Sequence, residues 1–331
     1  MKRIVLQRSN ILKQTARAAG SKPVPDRSDS FVFGLFKGQI NPQNIFPYPS
    51  VFNQEEVDEL NELFSASFDA FDGTNQALEN DLRGDLDPEM VQMLRDFGLF
   101  GMQVPEDHGG LGMSNVQMAR MSEIGGELDL GVSIYIGAHQ SIGFKAILIL
   151  GTPEMKEKYL PAVASGEKIA AFCLTEPSTG SDASSVQTRA VKQDDGSYLM
   201  NGGKIWITGG GIADIFTVFA QVPVEQEDGS TKDKMTAFIV ERDFGGVTHG
   251  APEKKMGIKC SNTAEVYFDD VRIPAENVIG EVGEGFKVAM EVLNSGRYGM
   301  GATLNGTQKG LIKKATEFAA NRTQFRSKIY K

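Results

Sequence analysis

Residues 169–208 read IAAFCLTEPSTGSDASSVQTRAVKQDDGSYLMNGGKIWIT, and this stretch sets the fold class. Its apolar runs, Ile169–Leu174, Val186–Val191, Tyr198–Met200 and Ile205–Thr208, are short. The turn signals Asp194-Asp195-Gly196 and Asn201-Gly202 punctuate them. The pattern continues through Ile215–Ala220, Thr236–Val240 and Glu265–Phe268, with a further turn at Glu227-Asp228-Gly229. Short strands at this spacing predict an antiparallel β-barrel or sandwich. No helical segment intervenes, which argues against a parallel Rossmann sheet.

On either side the pattern is helical. Val57, Leu60, Leu63, Phe64 and Phe68 recur at three and four, as do Leu86, Met90, Met93, Leu94 and Phe97. Asp87-Pro88 and Thr152-Pro153 place a cap before a first-turn proline. Ala138–Leu150 reads as an apolar helix, and the Gly-rich stretches 109–112 and 125–126 read as loops between helices. After Gly283, Phe286, Val288, Ala289, Val292 and Leu293 open a long helix that runs to Ala320 and needs partner helices. The expected fold is α+β and multidomain. An extended lead-in spans 26–50, a helical domain 51–166, a β domain 167–282, and the start of a truncated C-terminal helical bundle 283–331.

The 331 residues are 40% hydrophobic and 23% charged, as in ordinary soluble domains. The net charge of −9 is wrong for a nucleic-acid partner, which needs a basic face. Two cysteines exclude a disulfide scaffold and fit a reducing compartment. His108, His139 and His249 lie far apart, so no clustered metal site is expected. No uninterrupted apolar run approaches the ~20 residues of a membrane span. P-loop, Gly-x-Gly-x-x-Gly, His-Glu-x-x-His, paired Cys-x-x-Cys and Gly-x-Ser-x-Gly patterns are absent from the sequence.

The charge is unevenly spread. Lys2, Arg3, Arg8, Lys13, Arg17 and Lys22 fall within residues 1–25, which contain no Asp or Glu. Ile4, Val5, Ile11, Leu12, Ala18 and Ala19 form one stripe of a helix. A basic, acid-free, amphipathic start resembles a mitochondrial transit peptide; a disordered basic tail or a surface helix is the alternative.

Four stretches carry candidate chemistry. Phe172–Asp182 runs from a strand into a loop of hydroxyls and small residues, which offers donors to an anion or a polar ring edge, or is an ordinary Ser/Gly turn. Lys204-Ile205-Trp206-Ile207-Thr208 holds the only tryptophan. Strand alternation puts Trp206 and Thr208 on one face, where an indole and a hydroxyl suit a flat heteroaromatic ligand; a core tryptophan is the alternative. Asn294-Ser295-Gly296-Arg297 lies in the long helix. In Asn321–Phe325, Arg322 offers a bidentate donor to a phosphate or is a solvated surface arginine.

Together these motifs resemble the acyl-CoA dehydrogenase family. Cys173–Asp182 is similar to its signature loop and Trp206-Ile207-Thr208 to its flavin-contacting strand. Gln103–Gly112 resembles its N-terminal loop. Asn262–Val266, Val271-Arg272-Ile273-Pro274 and Gly280–Phe286 resemble the exit from its β domain. Phe36–Gln39, Phe46–Ser50 and Gly137–Gly143 are most similar to the very-long-chain branch of the mitochondrial inner membrane, which includes a member that works mainly in assembly of respiratory complex I.

The resemblance implies FAD as cofactor, held by Phe172, Cys173, Leu174, Thr175, Gly180, Ser181, Trp206, Ile207 and Thr208. It implies Arg322, Gln324 and Phe325 reaching the FAD of a second subunit in a homodimer. Ser181, Asn294 and Arg297 would touch a fatty acyl-CoA substrate. The implied reaction is α,β-dehydrogenation, with electrons passed to an electron-transfer flavoprotein on the matrix side of the inner membrane and peripheral membrane association in the full-length protein. A non-catalytic complex I assembly protein on the same fold is the alternative. The family's catalytic glutamate falls beyond Lys331, and the branch-specific alternative position is Gly296, so no catalytic carboxylate is expected and this chain is expected to be nearly inactive. Thr179, Gly209 and Arg326 depart from the family's usual residues.

Overall fold

The computed structural model describes residues 31–40, 42, 45–47, 52–74 and 76–330. The transit-peptide reading of 1–25 falls outside them. The chain divides into two units, 1–59 and 60–331. In the first, helix α1 spans Phe31–Phe36, and the Phe31 and Phe46 rings meet edge to face at 6.4 Å.

The second unit begins inside helix α2 (Gln54–Thr74) and continues through α3 (Ala77–Arg83), α4 (Pro88–Asp96) and α5 (Asn115–Leu128). Asp87 caps α4 by accepting from the Glu89 amide, with Pro88 in the first turn. Ser114 and Gln117 close a capping box on α5, which satisfies two amides that a helix start leaves unpaired. Gly125 and Gly126 lie inside α5 and do not form a loop. A Cβ on Gly126 would come within 2.0 Å of the Thr303 carbonyl oxygen, so close helix approach explains this glycine.

From Leu130 the chain stays helical to Leu150. α6 (Leu130–Gly137) passes into a π-helical turn, Ala138–Gly143, and Phe144 leads into α7 (Lys145–Leu150). This run is long and apolar enough by length and composition to cross a membrane, contrary to the sequence reading; half of it is buried in the fold, as in a core helix. His139, Gln140 and Lys145 interrupt its apolar pattern, and all three are buried. Helix α8 (Pro153–Ala164) starts from a Thr152 cap.

Strand β1 (Ala170–Cys173) opens the sheet, followed by β2 (Arg189–Lys192), β3 (Tyr198–Thr208), β4 (Ile215–Glu225), β5 (Thr231–Glu241), β6 (Val247–His249), β7 (Thr263–Ile273) and β8 (Val278–Ile279). The order is β6-β7-β3-β2-β4-β5-β8, with β1 on β4. Most pairings are antiparallel, as expected. β1 and β2 both run parallel to β4, so the sheet is mixed. Period-2 patterning reports which face is buried, not which neighbour a strand takes, and so did not distinguish the two.

Asn201-Gly202 is also not a turn. β3 runs through it, and an extra residue on β7 creates a bulge that Asn201 and Asp270 brace with two side-chain hydrogen bonds of 2.9 Å. Gly202 is required there because a Cβ would sit 2.5 Å from Thr188 Oγ1. The sheet core centres on Phe216, Val218, Phe238, Val240 and Val266.

Helix α9 (Gly285–Asn321) spans 37 residues, close to the expected length. As far as Gly310 it packs on α5, α6 and the sheet. From Leu311 onward it is almost wholly exposed. A two-residue hairpin follows, β9 (Thr323–Gln324) against β10 (Ser327–Lys328).

Candidate functional site

The site is built where β1 ends and β3 bends. Ile205 N–H donates to the Thr175 carbonyl at 3.0 Å, stitching the signature loop to β3. Phe172, Cys173 and Leu174 direct their side chains into the core: Phe172 meets Phe219 edge to face at 5.0 Å, and Cys173 is fully buried. Burial pushes the Cys173 thiol up to about 12, so it carries no thiolate at neutral pH. These three residues offer a ligand only their backbone. Thr175 is half-buried, and Gly180 and Ser181 are exposed. A Cβ on Gly180 would meet nothing within 4 Å, so the loop borders open space.

Beneath the loop lies an arrangement the sequence reading missed. Lys204 is fully buried, and its Nζ donates to Glu176 Oε1 (2.7 Å), the Phe219 carbonyl (2.7 Å) and the Leu174 carbonyl (3.3 Å). Glu176 also accepts from the amides of Gln187 (2.5 Å) and Thr188 (2.9 Å). Burial works against the Glu176 charge, but the Lys204 ammonium and these donors outweigh it and hold the carboxyl below its usual range. Thr179, one of the departures, is buried; it exchanges backbone hydrogen bonds with Glu176 and donates its hydroxyl to the Ser185 carbonyl at 3.1 Å.

A second bulge sits between Lys204 and Ile207, where Ile205 and Trp206 of β3 face the single residue Glu265 of β7. Trp206 takes the extra place with φ of 58° and is 60% exposed. A left-handed tryptophan outside the core is costly for an L-residue and uses little of the ring's burial energy, so a core role does not explain it. Ile207 turns back into the core, and Thr208 is half-buried. Gly209 follows at φ 78°, and its amide donates to the Asn262 carbonyl at 2.5 Å. Left-handed backbone admits Gly or Asn, which accounts for this departure.

Thr208 opens onto a cavity of about 390 Å³. Gly296 and Arg297 of α9 line it together with Phe71, Met118, Met121, Ile136 and Ile142. Three of its wall hydroxyls are occupied by carbonyls one turn back: Ser122 donates to the Met118 carbonyl (2.8 Å), Ser133 to the Asp129 carbonyl (2.9 Å) and Thr303 to the Gly299 carbonyl (3.0 Å). The interior therefore presents an almost wholly apolar surface. No lining residue is Asp or Glu among the described residues. A Cβ on Gly296 would make ordinary contacts at 3.5 Å with Ile142 and the Ser141 carbonyl, so the position faces the cavity wall with space to spare. Arg297 is exposed and hydrogen-bonded to Asn294.

Buried polar groups hold the cavity walls to the sheet. His139 Nδ1 accepts from the Ala170 amide (2.9 Å), and Nε2 donates to the Val163 carbonyl (3.0 Å), which fixes a neutral tautomer. Gln140 accepts from Met102 N–H and donates to the Leu99 carbonyl, at 2.9 and 2.8 Å. A π-helical turn often marks a functional segment, and Ala138, Ser141 and Ile142 of this one line the cavity.

The structure thus brings together Thr175, Trp206, Thr208 and the Asn294–Arg297 turn. It does not bring Arg322, Gln324 or Phe325 to them. These lie beyond the far end of α9, about 37 Å from Arg297 at 1.5 Å per residue. All three are exposed, and Phe325 and Arg326 form the hairpin tip with φ of 48° and 64°. Two left-handed residues make the tip a primed turn, where glycine is the natural occupant; this is the physical meaning of the Arg326 departure.

The description "acyl-CoA dehydrogenase, N-terminal domain" matches residues 58–167, and "acyl-CoA dehydrogenase, middle domain" matches 171–271. The chain is 59% identical over 305 residues to the mitochondrial very long-chain specific acyl-CoA dehydrogenase of Bos taurus, covering 92% of this chain and 47% of that protein. It spans about half the length of the curated relatives it matches first. The solved butyryl-CoA dehydrogenase of Megasphaera elsdenii superposes with a TM-score of 0.76 at 38% identity, covering 85% of this chain and 73% of that one. An acyl-CoA dehydrogenase of Bacillus anthracis complexed with FAD superposes with a TM-score of 0.75 at 37% identity, covering 84% and 47%.

Proposed function

This chain belongs to the acyl-CoA dehydrogenase family, and from that premise we propose that it carries the FAD- and acyl-binding half of a mitochondrial α,β-dehydrogenase of long and very-long-chain acyl-CoA thioesters. The observation that carries the reading is the cavity beside Thr208. Apart from Thr208, Ser141 and Arg297 its lining is apolar or, at Ser122, Ser133 and Thr303, has hydroxyls bonded within the helices, so it suits a hydrocarbon chain.

The residues fit a flavin. An exposed left-handed Trp206 offers a flat apolar face that the core does not use. Thr175 and Thr208, both half-buried, offer hydroxyls from the loop and the strand beside it, and the open space at Gly180, next to the exposed Ser181, admits a phosphate-bearing group to the loop. When bound, FAD supplies the two-electron acceptor for the β-hydride. Thr175 and Thr208 hydrogen-bond the ring edge, Trp206 packs on it, and Ser181 bridges towards the thioester. Asn294 and Arg297 face the CoA moiety, and the cavity excludes water from the acyl chain. Proton removal from the α-carbon needs a base within hydrogen-bond reach, and neither Gly296 nor the other lining residues provide one.

The exposed tip at Arg322–Phe325 is read as reaching the flavin of a second copy, because its own chain's loops lie far away. Electron-transfer flavoprotein is the proposed acceptor, and the matrix face of the inner membrane the proposed location.

The test is an anaerobic visible spectrum of the chain with FAD, before and after palmitoyl-CoA. Retention of the flavin band with a palmitoyl-CoA-induced shift, without bleaching, is expected. A chain that takes up neither flavin nor thioester would refute the reading; bleaching would show that a base lies elsewhere in it.

A further inference from the structure

A lysine with no exposed surface sits two residues before a tryptophan that is mostly exposed. In a regular strand these two side chains share a face. The extra residue at Trp206 breaks that rule and turns Lys204 inward and Trp206 outward. Lys204 then reaches three separate segments: β4 through the Phe219 carbonyl, the end of β1 through the Leu174 carbonyl, and the signature loop through Glu176. Glu176 extends the network to the Gln187 and Thr188 amides and, through its backbone, to Thr179. Thr175 lies between the two anchored residues Leu174 and Glu176, and its carbonyl is bonded to Ile205 N–H, next to Trp206.

We propose that Lys204 and Glu176 are a positioning pair that fixes the Thr175 loop and the Trp206 bulge at one mutual spacing, so that both sides of the flavin edge are set before any ligand arrives. This rests on the proposed function for the identity of the ligand, but not for the geometry. Neither side chain reaches the surface, so the pair acts through Thr175 and Trp206 and not on the ligand itself. A buried ion pair is weak evidence of stability, since an apolar replacement often stabilises as well; holding one conformation is the role its three-segment reach fits.

The test uses Trp206 as reporter, since the chain has one tryptophan. Glu176→Gln keeps the shape and removes the charge; Lys204→Met removes the ammonium. At temperatures where far-UV circular dichroism shows the variants folded, the fast component of Trp206 fluorescence anisotropy is expected to grow at least twofold. FAD is expected to bind at least tenfold more weakly. Tyr159→Phe, in a distant buried network with Glu241 and Asn277, is the control for a purely structural loss: it should lower the melting temperature and leave the Trp206 signal unchanged. In the unsubstituted chain, the amides of Gln187, Thr188 and Ile205 should exchange hydrogen within about tenfold of the Phe219 amide, as a single rigid unit would. Trp206 motion matching that of the unsubstituted chain in folded variants, or exchange at those amides a hundredfold faster than at Phe219, would overturn the proposal. If the unsubstituted chain binds no FAD, the proposed function fails while anisotropy and exchange still decide the role of the pair.

Discussion

Replacing Gly306 by alanine sets two effects of opposite sign against each other. Gly306 is buried in the middle of α9, where alanine should stabilise the helix by about 1 kcal/mol. Its Cβ, however, would sit 1.8 Å from the Glu123 carbonyl oxygen, 2.7 Å from its carbonyl carbon and 2.9 Å from the Glu127 amide nitrogen. All three are backbone atoms of α5 and cannot rotate away. The helices must separate by about 1.5 Å to restore contact distance, and overpacking of this kind costs about 1–3 kcal/mol. The separation also strains the bond from Thr307 Oγ1 to the Gly126 carbonyl (2.9 Å) and the Asn305 and Lys309 contacts to Glu123, together about 1 kcal/mol. The clash wins, with a net loss of about 1–3 kcal/mol. Thermal melts followed by far-UV circular dichroism should show a fall of roughly 2–12 °C, taking about 2–4 °C per kcal/mol for a domain of this size. A melting temperature equal to or above that of the unsubstituted chain would mean that the helices have slack, and would refute the reasoning.

Three further outcomes follow from the site and its supports. Burial lowers the His139 pKa from 6.5 to about 4, so the unfolded chain binds the extra proton between these values. About 3 kcal/mol of stability is present above pH 6.5 and is lost as the pH falls towards 4, and a His139→Gln variant should lack that slope in its melting temperature. Trp206→Ala should weaken FAD binding by roughly five- to tenfold, as loss of about 1 kcal/mol of stacking implies, and barely move the melt because the ring is mostly exposed; unchanged affinity would remove Trp206 from the site. Gly296→Glu has space for its Cβ and adds a carboxylate at the cavity wall, so flavin bleaching on palmitoyl-CoA should rise by up to about 10²–10⁴-fold over the unsubstituted chain if the carboxylate reaches the α-proton.

The zones of this fold were legible because hydrophobic periodicity changes from helical to strand spacing near residue 168 and back again after Gly283. Caps at Asp87 and Thr152 were legible because their side chains act on amides only a few residues away. Glycines were the weak signal. Asn201-Gly202 and Gly125-Gly126 look like turns locally, yet each is a place where another segment approaches too closely for a Cβ. The Lys204–Glu176 pair was not legible for a similar reason: a charged residue in a strand reads as outward unless the bulge that turns it inward is known. The loop that carries Thr175 and Ser181 was visible as a hydroxyl-rich break, but its depth was not, because burial of Phe172, Cys173 and Leu174 depends on strands dozens of residues away.

The bulge at Trp206 has a bearing on how this strand can vary over generations. Substitutions along β3 change one side chain at a time, but loss of the single extra residue at 205 or 206 would leave Lys204 opposite Val266 and Ile207 opposite Ala264 and return the ladder to regular alternation. The buried ammonium would keep its place, and only the left-handed position that shows the indole to solvent would vanish. A deletion at these positions is therefore silent for the sheet and felt only in the face that Trp206 presents, whereas one elsewhere in β3 would reverse inside and outside up to the strand end.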